Sequence, residues 1–458
     1  MLRSAPAVDP QAPNFLPVSS LFSADELYGE LEPSDIEWKC ASGFVTETQI
    51  WYTILEDGSS VMCQVIHSSI GYACTLWPRN HERAYARSRV WYPTIQFTFK
   101  VFNPNTGEKI WRSVNVSNFV TPPPDLDKRS SKSDEFTITH ADAAGTDYPE
   151  RYTISAVLTQ EVTISLEVRR PAGAPGFKTG KGPDGGYSYF GPDAASPEGY
   201  VVHRFWPLTR TSGSISVNGK PLAVEGPGMF VHAIQGMRPN AVASRWNFAH
   251  FQSPAHGGVS AVQMEFTTTN AYGRKGAGSG YVGVNVGGLV IGGKLAAVTA
   301  ETRWPDEALP ENADLISRAQ HVKGVHDPET GYPQPTELVY RWAAPSIVPD
   351  APGTVTGALT VNVGDLSEPR GLIEKVDVLA EIPTVVKTVV NYVAGTKPYI
   401  YQVSALLCSR SVQRLSKTPQ WINAAKLTLT GPDAILPGLA GGLEVEGFSY
   451  NEATFISE

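Results

Sequence analysis

From Trp38 onward, apolar and polar residues alternate along most of the chain with a period of two, the signature of half-buried strands. "TETQIWYTILEDGSSVMCQVIHSSIG" sets two such runs around Asp57-Gly58, which predicts a hairpin. "IQFTFKVFNPNTGEKIWRSVNV" repeats the form around an Asn-Pro-Asn-Thr-Gly loop, and "SGSISVNGKPLAVEG" turns at Asn218-Gly219. Further short strands follow in "RYTISAVLTQEVTISLEVRR", "GVSAVQMEFTTTNAYG", "GYVGVNVGGLVIGGKLAAVTAET", "GTVTGALTVNVGDL" and "AKLTLTG". Many short strands joined by Gly-rich turns predict an all-β chain of antiparallel sandwiches or up-and-down barrels. A helical period stands out in "IPTVVKTVVNYVAGTKP", where Val385, Val386, Val389, Val390 and Val393 share one face. It predicts a helix over 383–394, laid across a barrel mouth or wall.

Residues 1–35 read as a Pro-rich leader, because Pro6, Pro10 and Pro13 block a helix there. The rest divides into residues 36–209 and 210–458, two β domains meeting near Trp206–Ser214. "TPPPDLDKRSSKSDE" and "AGAPGFKTGKGPDGG" read as mobile surface loops.

Composition narrows the function. The 458 residues carry a net charge of −8 and no long Lys/Arg run, which argues against a nucleic-acid partner. Cys40, Cys63, Cys74 and Cys408 show no metal spacing and read as reduced thiols. The first residues lack the apolar core of a signal peptide, and no run of ~18 apolar residues appears. A cytosolic protein is the expectation. "GSGYVG" matches GxGxxG, but strand and turn follow it where a dinucleotide site needs a helix. GxSxG, HExxH and Walker A sequences are absent, and His67 reads as a hydrogen-bonded strand histidine. No cofactor, metal or catalytic set is expected.

One stretch is chemically odd. In "RWNFAHFQS", Trp246, Phe248 and Phe251 stand among Asn247, His250 and Gln252; "MFVHAIQG" upstream adds His232 and Gln235. Two readings stand. The segment is aromatic core with satisfied polar groups, or it is the wall of an apolar cavity whose few polar groups orient a ligand. Amides donate and accept, so such a cavity suits a neutral head group better than a carboxylate or phosphate.

Several blocks carry a resemblance. "CQVIHSSIG", "IQFTFKVFNPNTGEKIW", "GYSYFG", "HRFWPLTRTSGSI", "GMFVHAIQGMRPNAVASRWNFAHFQS" and "KVDVLAEIPTVVKTVVNYVAGTKPYIYQ" resemble the fungal survival factor 1 family, in order, from about residue 36 onward. The resemblance implies two lipocalin-like β-barrel domains that bind ceramide. It implies non-vesicular transfer from endoplasmic reticulum to Golgi, transient contact with both membranes, and survival under oxidative stress. The implied location is cytoplasm, with the nucleus and peripheral membrane association besides. A lipid cavity would then draw on Trp206, His232, Gln235, Trp246, Asn247, Phe248, Phe251 and Gln252.

Departures accompany it. Prolines stand where family members often carry an N-terminal amphipathic helix, so membrane contact should be weak. Residues 75–92 and 405–425 read as insertions. The alternative is a lipocalin-fold enzyme, a hydratase or cyclase acting on an apolar polyene. Where hydratase relatives carry Asp-His-x-Trp, this chain has Val231-His232-Ala233-Ile234. A stress-survival scaffold that binds other proteins is a third class.

Overall fold

The computed structural model describes residues 11–68, 94–276, 278–308, 312, 315–377, 398–404 and 425–457. The helix expected over 383–394, Cys74, Cys408, the segment 75–92 and all but the last residue of 405–425 lie outside the described residues.

The described residues form two curled antiparallel sheets. The first holds β1 (Phe15–Leu16), β2 (Tyr28–Glu30), β3 (Thr46–Ile54), β4 (Ser60–Ser68), β5 (Thr94–Asn103), β6 (Glu108–Asn115), β7 (Ser131–Lys132), β8 (Phe136–Asp142), β9 (Glu150–Thr159), β10 (Val162–Arg170), β11 (Phe177–Thr179), β12 (Tyr187–Phe190), β13 (Gly199–Val217) and β14 (Lys220–Gln235). Its main path runs β6-β5-β4-β3-β14-β13-β10-β9-β8-β7. The second holds β15 (Arg245–Ser253), β16 (Val259–Thr267), β17 (Gly283–Ile291), β18 (Lys294–Arg303), β19 (Arg318–His326), β20 (Pro333–Pro345), β21 (Thr354–Asn362), β22 (Leu372–Asp377), β23 (Tyr399–Ser404), β24 (Ala425–Thr430) and β25 (Leu443–Phe455). Its path is β18-β17-β16-β15-β25-β24-β21-β20-β19. These are the expected lipocalin-like β domains.

The expected hairpins form. β13 and β14 turn at Asn218 (φ 51°) and Gly219 (φ 75°), left-handed at both positions as a tight hairpin demands. "GVNVGGLVIGG" is strand and turn, with left-handed Gly292 and Gly293 between β17 and β18, so no dinucleotide loop forms.

Three sequence-based boundaries change. The sheets divide at residues 236–244, where a short helix α1 (Pro239–Val242) crosses over, not at 209/210. β13 runs straight through Thr209 and Arg210 and pairs with β14 on both sides. Pro207 has no N–H to give a ladder, and the register shifts between Trp206 and Thr209 to accommodate it. The leader is not separate either: β1 pairs with β12 and β2 with β11, and Phe15 and Val18 are buried. The two presumed mobile loops also enter the fold, since Arg129, Ser130, Ser131 and all of β11 are buried.

Alternation then sorts the core. Inside the first curled sheet, Trp51, Phe97, Phe99, Tyr152, Trp206 and Phe230 pack together. Inside the second, Phe251, Leu289, Tyr340, Trp342, Leu359 and Leu427 do so. A third cluster joins outward faces of both sheets: Phe15, Tyr52, Phe177, Phe205 and Met229 meet Trp246, Phe248, Val262, Phe266 and Tyr450. Its close approach needs bare backbone. A Cβ on Gly288 of β17 would lie 2.8 Å from the Phe177 ring. Cys40 and Cys63 are free thiols.

Candidate functional site

Strand β15 holds the unusual "RWNFAHFQS" segment, and its two faces look into different places. Trp246, Phe248, His250 and Gln252 face the seam between the sheets. Asn247, Ala249 and Phe251 face the interior of the second. The eight residues expected to line one cavity are therefore not one wall.

At the seam, Phe248 stacks on Tyr52 of β3 with ring centroids 5.4 Å apart, and Tyr52 meets His250 and Tyr450 at 5.7 Å each. Trp246 packs on Phe266 at 5.1 Å and edge-on to His203 at 5.8 Å. One side of this apolar seam ends in a polar chain. Lys100 of β5 is buried, and its Nζ reaches Glu374 of β22 at 3.2 Å and the Gln402 side chain of β23. Gln402 Nε2 donates to Glu452 Oε1 at 2.9 Å, and the Tyr450 hydroxyl donates to the same oxygen at 2.7 Å. Burial pushes the Lys100 ammonium down and the Tyr52 and Tyr450 phenols well up. This buried aromatic stack, bordered by hydroxyl, amide and charged groups, pairs apolar surface with polar groups as an amphipathic ligand does.

Gln252 does something else. Its Nε2 lies 2.8 Å from Ser260 Oγ, 2.8 Å from His250 Nε2 and 3.1 Å from the Gly228 carbonyl, and the Ser260 hydroxyl donates to the Pro207 carbonyl at 2.6 Å. Gly228 and Pro207 belong to the first sheet, so Gln252 and Ser260 latch the second sheet onto the bulge of β13. His250 accepts at Nε2, and burial pushes it down to about 3, so the ring is neutral.

His232 is likewise committed. Nε2 donates to Glu47 Oε1 at 2.9 Å and Nδ1 to the Asp35 carbonyl at 3.0 Å, both partners being acceptors. Glu47 also accepts from the backbone N–H groups of Lys39 and Cys40 at 2.8 and 2.7 Å. Asp35 pairs with Lys178 at 2.8 Å and Arg204 at 3.4 Å. This buried network ties residues 35–40 to the first sheet, and nothing of His232 is left for a ligand. Trp206 lies among Tyr152, Phe230 and His140 inside the first sheet, in a different cluster from the seam face of β15. Gln235 ends β14, half-buried, opposite Val201 and Thr46. Phe251 is fully buried in the second interior, where a Cβ on Gly447 would come within 2.5 Å of its ring.

Asn247 joins a row that the sequence did not reveal. It stands opposite Glu265, Glu265 opposite Asn285, and Asn285 opposite Glu301, so four polar residues on four successive strands share one inward face. Asn285 Nδ2 and the Ala319 N–H donate to Glu265 Oε2 at 2.9 Å each, and His321 Nε2 donates to Asn247 Oδ1 at 2.6 Å. Burial pushes the Glu265 and Glu301 carboxyls up and takes His321 down to about 4.

Among the described residues, the ligand atoms of Asp127, His140 and Asp142 lie within 4.8 Å of one another, a metal-ligand spacing. The Arg129 guanidinium already fills that space, 2.6 Å from a carboxylate oxygen of each aspartate.

A family model described as the Svf1 family matches residues 4–79 and 84–457. A relative from Aspergillus fumigatus named "Ceramide-binding protein svf1" is 35% identical over 433 residues, covering 94% of this chain and 91% of its own. One of the same name from Schizosaccharomyces pombe is 30% identical, covering 99% and 96%. Among solved structures, CghA with Sch210972 superposes at TM-score 0.51 and 11% identity, covering 91% of this chain and 89% of that one. That likeness concerns the fold alone.

Proposed function

The chain belongs to the Svf1 family, and on that ground we propose that it binds ceramide along the seam between its two sheets. The observation that carries this reading is the aromatic stack of Tyr52, Phe248 and Tyr450, bordered by Lys100, Gln402 and Glu452. Ceramide is mostly methylene, with two hydroxyls and an amide at one end. The aromatic faces suit the chains once the seam parts to admit them; the hydroxyl of Tyr450, the Gln402 amide and Glu452 suit the polar end. The names of the curated relatives support the ligand.

We further propose that the protein carries ceramide between endoplasmic reticulum and Golgi through the cytosol, touching each membrane transiently, and that survival under oxidative stress follows from that traffic. Each buried CH₂ is worth about 0.8 kcal/mol, so a ceramide with some thirty of them leaves a bilayer at a cost on the order of 20 kcal/mol. A carrier lowers that cost only by offering comparable apolar surface. No chemical step is part of this reading. Val231 offers no acid or base, and His232 beside it is bound on both nitrogens.

Lipid extraction and mass spectrometry of the purified protein should find ceramide, and labelled ceramide should pass from donor to acceptor liposomes. Phe248→Ala should weaken both. A terpenoid or polyketide in the extract, or no lipid at all, rejects the reading.

A further inference from the structure

The second sheet encloses a cavity of about 360 Å³, lined by Glu265, Asn285, Glu301, Thr302, Arg303 and Arg318 among others. It opens where the main strand path ends: among the described residues β18 and β19 are the two ends of that path, and the cavity lies between Arg303 at the end of one and Arg318 at the start of the other. Its floor is the inward row of Glu265, Asn285 and Glu301, with Asn247 behind Glu265. Glu265 and Asn285 are more than nine-tenths buried, and the side-chain Oδ1 of Asn285 has no hydrogen-bond partner among the described residues. A core strand would place apolar residues at these inward positions, as Ala261, Leu289 and Ala297 do further along the same strands. A row of amides and carboxyls behind an opening, with guanidinium groups at the rim to offset the carboxyls, is how a protein grips a neutral polar group.

We propose that the second sheet holds a ligand site of its own, for a compact neutral group bearing hydroxyls and an amide, gripped by Glu265, Asn285 and Glu301. The site is on the opposite face of β15 from the lipid seam and stands independently of the seam reading. The same chemistry occurs in a free small molecule and in the polar end of a lipid.

Gly283 makes the test clean. It lies on the inward face two residues before Asn285, and the three atoms nearest a Cβ there all belong to the Arg303 side chain, at 3.6–3.8 Å, ordinary contact distance. A bulky side chain at 283 therefore enters the cavity without disturbing the strand. Calorimetric titration would use two probes: N-acetylglucosamine as the free molecule, and N-acetylsphingosine as the lipid. The expected result is binding of at least one probe, reduced tenfold or more by Gly283→Phe and by Glu301→Gln, with melting temperatures close to that of the parent. Binding of the sugar identifies a free ligand; binding of the short-chain lipid that Gly283→Phe abolishes identifies a lipid head. Neither probe binding, or binding unchanged in both variants, overturns the proposal. Long-chain ceramide binding retained by Gly283→Phe leaves the seam reading intact; its absence from the parent protein defeats that reading alone.

Discussion

At the scale of single residues, the buried charges serve the fold. The Glu47 carboxyl is held below its usual range: burial works against ionisation, but the His232 hydrogen bond and charge and two backbone N–H groups outweigh it. An acid depressed in the folded state contributes stability above its unfolded pKa and loses it as pH falls through the folded one. Glu47→Gln would turn an amide N–H toward the Lys39 or Cys40 N–H and leave His232 without its anion. We expect a loss of about 3–5 kcal/mol in urea unfolding at pH 7, and a flatter acid limb. Three buried histidines act in the same direction. His203, His250 and His321 are pushed down to about 3, 3 and 4 by burial. Each binds fewer protons folded than unfolded, so stability is full above about pH 6.5 and falls below it, by up to roughly 2 kcal/mol each at pH 5. Urea midpoints measured between pH 7.5 and 5 should fall steadily; a constant midpoint contradicts the assignment.

Strand β15 gives the prediction at the scale of elements. Its outward Phe248 and inward Phe251 are three residues apart and chemically identical, yet they touch different clusters. Phe251→Ala should cost about 3–5 kcal/mol of stability and change ceramide binding only through unfolding. Phe248→Ala should weaken ceramide binding in protein that remains folded at the assay temperature. Equal effects of the two on binding per folded molecule would mean that the seam holds no lipid. Gln252→Leu separates a latch from a ligand contact. It strips donors from the Gly228 carbonyl and from His250, so stability should fall by about 1–3 kcal/mol with ceramide affinity retained. The sequence made the strand itself plain, because alternation and left-handed turn residues are local. It could not say what covers each face. Period two assigns Trp246 and Asn247 to opposite sides, but the identity of each side depends on strands hundreds of residues away. The row from Asn247 to Glu301 was hidden for the same reason, since each member is one polar residue in its own strand. The boundary expected at 209/210 falls inside β13, because alternation on both sides of "FWPLTRTSG" is equally the pattern of one long strand with a bulge at Pro207.

At the scale of the whole molecule, the outward faces of the two sheets share one apolar cluster, and Phe15 of the leader touches both Phe190 and Phe266. Neither sheet can shed the other without exposing these aromatics. Urea unfolding followed by tryptophan fluorescence and by far-ultraviolet circular dichroism should give coincident single transitions. Two separated transitions would show that the sheets are independent bodies and that the seam is loosely held.

The place of β25 in the second sheet bears on how the protein is made. It pairs with β15, β23 and β24, yet the ribosome completes it after every one of those neighbours. About 200 residues separate the start of β15 from the end of β25, which at ~5–20 residues per second is roughly 10–40 s of synthesis. Throughout that interval the nascent chain presents β15 without its β25 partner. The first sheet, whose strands precede β15, stands ready meanwhile to shelter the Trp246 and Phe248 side, so vectorial synthesis leaves only the Ala249 and Phe251 side for a chaperone to guard.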